Sequence, residues 1–222
     1  MKPYYDHAGI TIYCGDCREI IHDLSGIEAV ITDPVWPEGR VGLAGEDIAT
    51  DLLTSVADWA NVHARRLVVH LSVLTDPRWL INIPAALPFQ RIVWLEYARP
   101  AYRGRHLSGD CAYIFGDCPK SKPGARILSG RCMACDPKDN RKVVGHPCPR
   151  KVEHVKWLVK WYGGSGLILD PFAGSGTTGV AAKSLGLKAV LIEIEEKYCE
   201  IAVRRLAQEI LTEGGDDEVT AE

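Results

Sequence analysis

A chain of 222 residues suffices for one αβ domain with a sizeable core, or for one domain carrying a modest insertion. No run approaches the roughly 18 apolar residues of a membrane span, and residues 1–6 lack a signal-peptide pattern, so a cytoplasmic or nucleoid-associated location is expected. The net charge of −3 conceals an asymmetry: residues 99–151 hold 12 Lys or Arg against 4 acids, which is +8 locally and leaves −11 elsewhere. A basic insertion on an acidic body is an electrostatic footprint for a polyanion, with an ordinary solvated surface as the alternative.

In chain order, residues 10–13 read as a short strand, and a polar turn at Gly15-Asp16 leads to a small helix near 17–24. Residues 29–32 form a strand that stops at Asp33. Over 49–64, Leu52, Leu53, Val56 and Trp59 recur at helical spacing and make one apolar face. Residues 67–71 are almost continuously apolar, which suits a parallel strand covered on both sides. A short helix near 79–85 and strands at 91–94 and 112–115 follow, then a helix over 152–162 broken by Gly163-Gly164. A strand into Asp170, a helix over 177–185 ended by Gly186, a strand over 188–192 and a closing helix over 197–211 complete the pattern. The alternation predicts a three-layer αβα sandwich with its sites at the carboxyl ends of the strands. One domain is expected over 1–212, with 97–145 as an insertion and 213–222 as a disordered acidic tail.

Two segments carry chemistry. In the first, the strand ending at Asp170 runs into Pro171-Phe172-Ala173-Gly174-Ser175-Gly176 and a helix that opens with Thr177-Thr178. Glycines at 174 and 176 let backbone amides crowd around a ligand, and a helix N-terminus favours a negative group. The loop lacks the Lys of a phosphate-binding P-loop and the G-x-G-x-x-G of a dinucleotide site. The next strand ends at Glu193, 23 residues after Asp170, close to the ~20 at which an acid on a second strand tip takes the hydroxyls of a ribose. In the second segment, Asp33-Pro34-Val35-Trp36 follows a strand directly. A carboxylate and a neighbouring carbonyl can accept from one amino group, Pro34 pins the turn, and Trp36 offers a face to a planar ring. A strand end followed by a core tryptophan is the structural alternative.

Together these motifs resemble the amino-group DNA methyltransferases that use S-adenosylmethionine, in the beta arrangement in which the catalytic motif precedes the cofactor loop. The family loop D-P-F-x-G-S-G-T-T is matched over 170–178, and its D-P-P-[YFW] motif is Asp33-Pro34-Val35-Trp36 here, with Val35 in place of the second proline. The opening Y-x-G-D-C is met by Tyr13-Cys14-Gly15-Asp16-Cys17. An H-P-T-x-K-P element is echoed by His146-Pro147-Cys148-Pro149-Arg150-Lys151, and the closing helix carries Ala202-Val203-Arg204-Arg205-Leu206.

The resemblance implies a Rossmann-like methyltransferase fold, S-adenosyl-L-methionine as cofactor and duplex DNA as partner, with a homodimer as a compatible assembly. Asp33 and the Pro34 carbonyl would hold the exocyclic amine of a flipped base, and Trp36 would stack on it. The cofactor would lie among Asp16, Asp170, Phe172, Gly174, Ser175, Gly176, Thr177, Thr178 and Glu193, with Asp16 on its adenine amine and Glu193 on its ribose. His146 and Lys151 would flank the approach. Adenine N6 is the favoured target, with cytosine N4 as the alternative. An RNA or protein methyltransferase, or a nucleic-acid-binding protein with a disabled pocket, are the rivals from other classes. In this arrangement target recognition falls within 97–145, where Arg99, Arg103, Arg105, Lys120, Lys122, Arg126, Arg131, Lys138, Arg141 and Lys142 could meet phosphates. No metal is expected to serve the chemistry. Cys132 and Cys135 have a metal-like spacing that Cys118, His146 or Cys148 could complete, but packing or loop cysteines fit the spacings better.

Overall fold

The computed structural model describes residues 2–36, 44–72, 75–97, 109–118, 131–134 (as backbone) and 145–207. Short runs rich in aliphatic residues, buried on nearly every position in the central strands, build the sheet. The strands among the described residues are β1 (Tyr5–His7), β2 (Ile10–Cys14), β3 (Ile27–Thr32), β4 (Arg66–Ser72), β5 (Phe89–Tyr97), β6 (Gly109–Gly116), β7 (Arg131–Ala134), β8 (Leu167–Asp170) and β9 (Ala189–Glu193). They lie in the order β1-β2-β9-β8-β3-β4-β6-β5-β7. Strands β2, β9, β8, β3 and β4 are mutually parallel, while β6 runs antiparallel to both β4 and β5.

Helices cover both faces, which is why β4 and β9 can be apolar on successive residues. Side chains on alternate positions of one strand serve different layers. Ala29 and Ile31 of β3 pack with Leu158 and Ala202, from α3 (Val152–Tyr162) and α5 (Glu196–Ala207). Val30 points the other way, into a cluster with Leu52, Val56 and Trp59 of α2 (Ala49–His63) and Ile20 of α1 (Cys17–Ile20). The remaining helix, α4 (Thr177–Ser184), joins the first of these layers through Ala181 and Ala182. The predicted αβα sandwich is present.

Connectivity places the cleft. The chain leaves β8 through α4 and returns at β9 on one side, whereas it leaves β3 through α2 and returns at β4 on the other. β8 and β3 are neighbours, so their exits diverge, and a crevice opens beyond their carboxyl ends at this switch point. Both chemistry-bearing segments begin there, at Asp170 and just after Thr32.

The structure departs from the sequence reading in several places. The short helix expected near 79–85 is a 3-10 turn over Pro77–Asn82, capped by Asp76, whose carboxylate accepts from the Arg78 amide. Pro84 disfavours helical geometry at Ile83, which is extended instead. The first strand, β1, pairs with β2 through a turn at Ala8 and Gly9, both at positive φ. Segment 97–145 contains the strand expected at 112–115, in a longer form. Its residues 109–116 form β6, which is inserted between β4 and β5 inside the sheet, and 131–134 pair with β5 as β7. Most of the basic residues expected to meet phosphates, and the acidic tail, lie outside the described residues.

Candidate active site

A cavity of about 220 Å³ opens at the switch point and is lined by both motifs. Asp16, Phe172, Gly174, Ser175 and Glu193 bound one end, and Asp33, Pro34, Trp36 and Arg150 bound the other.

The first end is organised around two buried carboxylates. Asp170 closes β8 and accepts from Thr32 Oγ1 of β3 (2.7 Å), Thr178 Oγ1 of α4 (2.5 Å) and the Phe172 amide (3.2 Å). It therefore ties two strands to the helix that follows the loop. Burial pushes its carboxyl up to about 6, although these three donors pull the other way. Glu193 closes β9, where Oε2 accepts from the Gly174 amide (2.7 Å) and Oε1 from the Glu195 amide (2.8 Å). Burial raises this carboxyl too, against the same two amides. The glycine loop and the acid on the next strand are thus joined by a direct hydrogen bond. A carboxylate holds about four acceptor sites, so Glu193 keeps capacity for a ligand's hydroxyls. Asp16 caps α1 by accepting from the Arg18 amide (2.9 Å), and it pairs with the Arg18 side chain, which draws its carboxyl below the usual range.

The two loop glycines serve different ends. Gly174 has φ +51, and a Cβ there would lie 3.0 Å from Nε2 of His146. That ring is buried, packs edge-on to Tyr198 at 4.5 Å, and accepts from the Cys148 amide at Nδ1 (3.2 Å). Gly176 also has positive φ, +75, but a Cβ there would come within 2.6 Å of the Ala202 methyl. Gly176 is absent from the cavity wall. Its place is the close approach of α4 to α5. Arg205 of α5 reaches back under the loop, where Nη1 donates to the Ser175 carbonyl (2.6 Å), Ser175 Oγ (2.9 Å) and Thr177 Oγ1 (3.1 Å).

The second end is organised around a cation. Arg150 donates from Nε to Asp33 Oδ2 (2.6 Å) and from Nη2 to Asp33 Oδ1 (2.8 Å), a two-pronged pair. Its Nη1 donates to Asp110 Oδ2 (2.9 Å) on β6, and its Cζ sits 4.6 Å from the centroid of the Trp36 ring. The Arg150 side chain is only 9% exposed. Asp110 also accepts from the Tyr97 hydroxyl (2.7 Å), with His70 Nε2 3.4 Å away. Burial alone would raise the Asp110 carboxyl, but Arg150, His70 and Tyr97 together hold it below the usual carboxylate range. Burial likewise works against the Arg150 charge, and Asp33 and Asp110 outweigh it, so the guanidinium stays protonated. Trp36 Nε1 is buried with no partner among the described residues.

The structure therefore brings Asp33, Pro34, Trp36, Asp16, Asp170, Phe172, Gly174, Ser175, Thr177, Thr178 and Glu193 to one cavity, whose wall does not include Gly176. Sequence reasoning overlooks Arg150, Asp110 and Arg205 as site residues. Arg150 stands in the His146–Lys151 element, one position before Lys151, and Arg205 lies in the closing motif. Asp110 carries no local signal, because its partners come from β4, β5 and the segment before α3. Among the described residues no group of His, Cys, Asp or Glu is arranged to hold a metal ion. Of the cysteines weighed for zinc, Cys135 lies outside those residues and Cys132 is described in backbone alone, within β7. No described helix is long and apolar enough to cross a membrane.

Comparison with known proteins agrees with this geometry. The N6_N4_Mtase family model, described as DNA methylase, matches residues 96–204. The putative methylase YubD of Escherichia coli K12 is 34% identical over 216 residues, covering 87% of this chain and 88% of YubD. Matches to type II methyltransferases are higher in identity and much shorter. M2.LlaDCHI of Lactococcus lactis subsp. cremoris is 62% identical over 39 residues, so the match spans 14% of that protein. Among solved structures, the M1.HpyAVI–SAM complex superposes with a TM-score of 0.70 at 23% identity, covering 90% of this chain and all of that one. The cytosine-N4-specific PvuII DNA methyltransferase gives 0.72 at 17% identity, covering 95% and 91%. With the relative aligned along nearly its whole length and both motifs on one cavity, the chain belongs to the N6/N4 amino-group DNA methylase family.

Proposed function

We propose that this protein transfers a methyl group from S-adenosylmethionine to an exocyclic amine of a base in duplex DNA, with adenine N6 as the favoured target. The observation that carries this reading is the single cavity shared by the glycine loop with Glu193 and by Asp33-Pro34-Trp36.

The cofactor end fits its ligand chemically. Glu193 presents a buried carboxylate to hydroxyls, Phe172 supplies an apolar wall, and Ser175 and Thr177 lie at the start of α4 with the Arg205 cation close beneath. That combination of helix N-terminus and guanidinium suits a carboxylate such as that of a methionine moiety. When bound, S-adenosylmethionine supplies a methyl group on a sulfonium.

The chain's own residues do the rest. An aromatic amine is a poor nucleophile because its lone pair is delocalised into the ring. Asp33 and the Pro34 carbonyl accept its two N–H bonds and favour a nitrogen whose lone pair points out of the ring plane. Trp36 holds the flipped ring by stacking, which offsets part of the few kcal/mol spent on unstacking it from the duplex. Catalysis on this account is orientation and electrostatics. Since the nitrogen turns acidic only as it is methylated, no strong base need precede transfer, and the proton leaves afterwards. The same acceptor pair takes the N4 amine of cytosine, the second reading. DNA from cells expressing the chain, digested to nucleosides and compared with cells lacking it, decides between them. N6-methyldeoxyadenosine is expected, N4-methyldeoxycytidine would reverse the choice of base, and the absence of both products would refute the activity.

DNA docking through segment 99–151 is part of this proposal. Charge reversal of Lys120 and Arg141 should weaken duplex binding and lower the log–log salt slope by roughly one unit for each phosphate no longer neutralised. Cofactor affinity should not change.

A further inference from the structure

The seat assigned to the target amine already holds a side chain. We propose that Arg150 is a built-in stand-in for the target base, filling its seat in the free enzyme and swinging off Asp33 onto Asp110 when a nucleotide enters. The inference rests on the reading of Asp33 and Trp36 given above.

A flipped adenine or cytosine must offer two things to this end of the cavity: N–H donors in the plane of a ring, directed at Asp33, and a flat π-face for Trp36. The guanidinium of Arg150 offers both. It is planar, its in-plane Nε and Nη2 donate to the two Asp33 oxygens at 2.6 and 2.8 Å, and its Cζ stands 4.6 Å over the indole. Base and guanidinium compete for the same carboxylate and the same ring face. The cavity left beside Arg150, about 220 Å³, is below the ~300–1,000 Å³ of sites that enclose whole ligands.

An exit is in place. A buried cation stripped of its partner is strongly destabilising, so an immovable plug would result if Asp33 were the sole counter-charge. Asp110 provides the second, already 2.9 Å from Nη1 and itself steadied by the Tyr97 hydroxyl. Arg150 can release Asp33 while keeping one ion pair. Asp110 is a buried acid near the start of β6, next to the Tyr97 hydroxyl and His70, and placed to take the Arg150 charge.

A support role for Arg150, in which it permanently orients Asp33, predicts the opposite outcomes. The test uses the full-length protein with saturating S-adenosylmethionine and mixed-sequence duplex DNA. The double variant Arg150→Ala/Asp110→Asn removes the cation and its second carboxylate together. If the seat is filled in roughly nine free molecules of ten, emptying it should lower KM for DNA about tenfold. Free guanidinium ion, added against sodium chloride of equal ionic strength, should then inhibit the double variant competitively with DNA and leave the wild type unaffected. A double variant that binds cofactor but is inactive, or that guanidinium reactivates, overturns the proposal. Should that variant fail to fold, Arg150→Lys keeps the charge on Asp110 but cannot fork onto Asp33 or stack. The proposal requires a lower KM for DNA with kcat retained, and a fall in kcat at unchanged KM contradicts it. Absence of methylation by the wild type would instead sink the functional reading itself, so the two failures are told apart.

Discussion

The two ends of the cleft are held in place by different physics. At the loop end, the carboxylates of Asp170 and Glu193 are buried and are satisfied by hydroxyls and backbone amides. At the Asp33 end, two carboxylates face one guanidinium, and the contacts are charge on charge. Neutral donors fixed by strands and a helix N-terminus do not move when a ligand arrives, so the loop end is preorganised for a cofactor. An ion pair that occupies the ligand's own seat has to rearrange. The difference assigns rigidity to the end proposed to bind the cofactor and rearrangement to the end proposed to admit the target base.

The largest effect that could break this comparison is expected at Gly174. In Gly174→Val the φ of +51 becomes strained, and the new Cβ meets His146 Nε2 at 3.0 Å, so S-adenosylmethionine binding should be lost in a calorimetric titration. Wild-type affinity would show that the loop end is not rigid in the sense claimed. Gly176→Ala sharpens the same point. Its Cβ, 2.6 Å from the Ala202 methyl, should cost roughly 1–3 kcal/mol of stability as overpacking, read as a lower Tm. Cofactor affinity per folded molecule should stay near normal, and a specific loss of binding without a Tm change would return Gly176 to the cavity wall.

At the other end, Trp36→Ala should weaken engagement of the target by ~1–3 kcal/mol, and Trp36→Phe should keep part of it, both read as KM for DNA. If both variants instead lose Tm while methylation per folded molecule is unchanged, Trp36 is a core residue. The effect confined to a single group is a titration. Asp170 should lose its proton near pH 6, against ~3.9 for an ordinary aspartate, by carbon NMR of the labelled carboxyl. Because the folded value is the higher one, the unfolded chain deprotonates first and stability falls as pH rises from about 4 through about 6. Asp170→Asn should flatten that slope. A slope of the opposite sign would mean that the hydroxyl and amide donors outweigh burial.

How much of this is legible in the sequence follows from the range of each interaction. Strand, loop, helix and acid over 167–193 are written in contiguous residues, and β8, α4 and β9 emerge within a residue or so of their expected limits. The packing constraint on Gly176, the Ala202 methyl, is not legible in the sequence because it is set by the approach of two helices. Asp33 and Trp36 are found from a short motif, but their partner Arg150 lies 117 positions from Asp33 and Asp110 on an inserted antiparallel strand, so no spacing connects them. β1 stays hidden because a three-residue strand of Tyr, Asp and His has no apolar alternation to show.

The central claim, that Asp33 acts on the target amine and not on the cofactor, is tested most directly by single-turnover methyl transfer. Wild type and Asp33→Ala are each saturated with methyl-labelled S-adenosylmethionine, mixed with duplex DNA, and the DNA is digested to nucleosides. The account predicts labelled N6-methyldeoxyadenosine from the wild type. For Asp33→Ala it predicts a rate lower by at least about 10²-fold, the scale of losing one oriented electrostatic group, at unchanged cofactor affinity. Label entering DNA at the wild-type rate in the variant would contradict it.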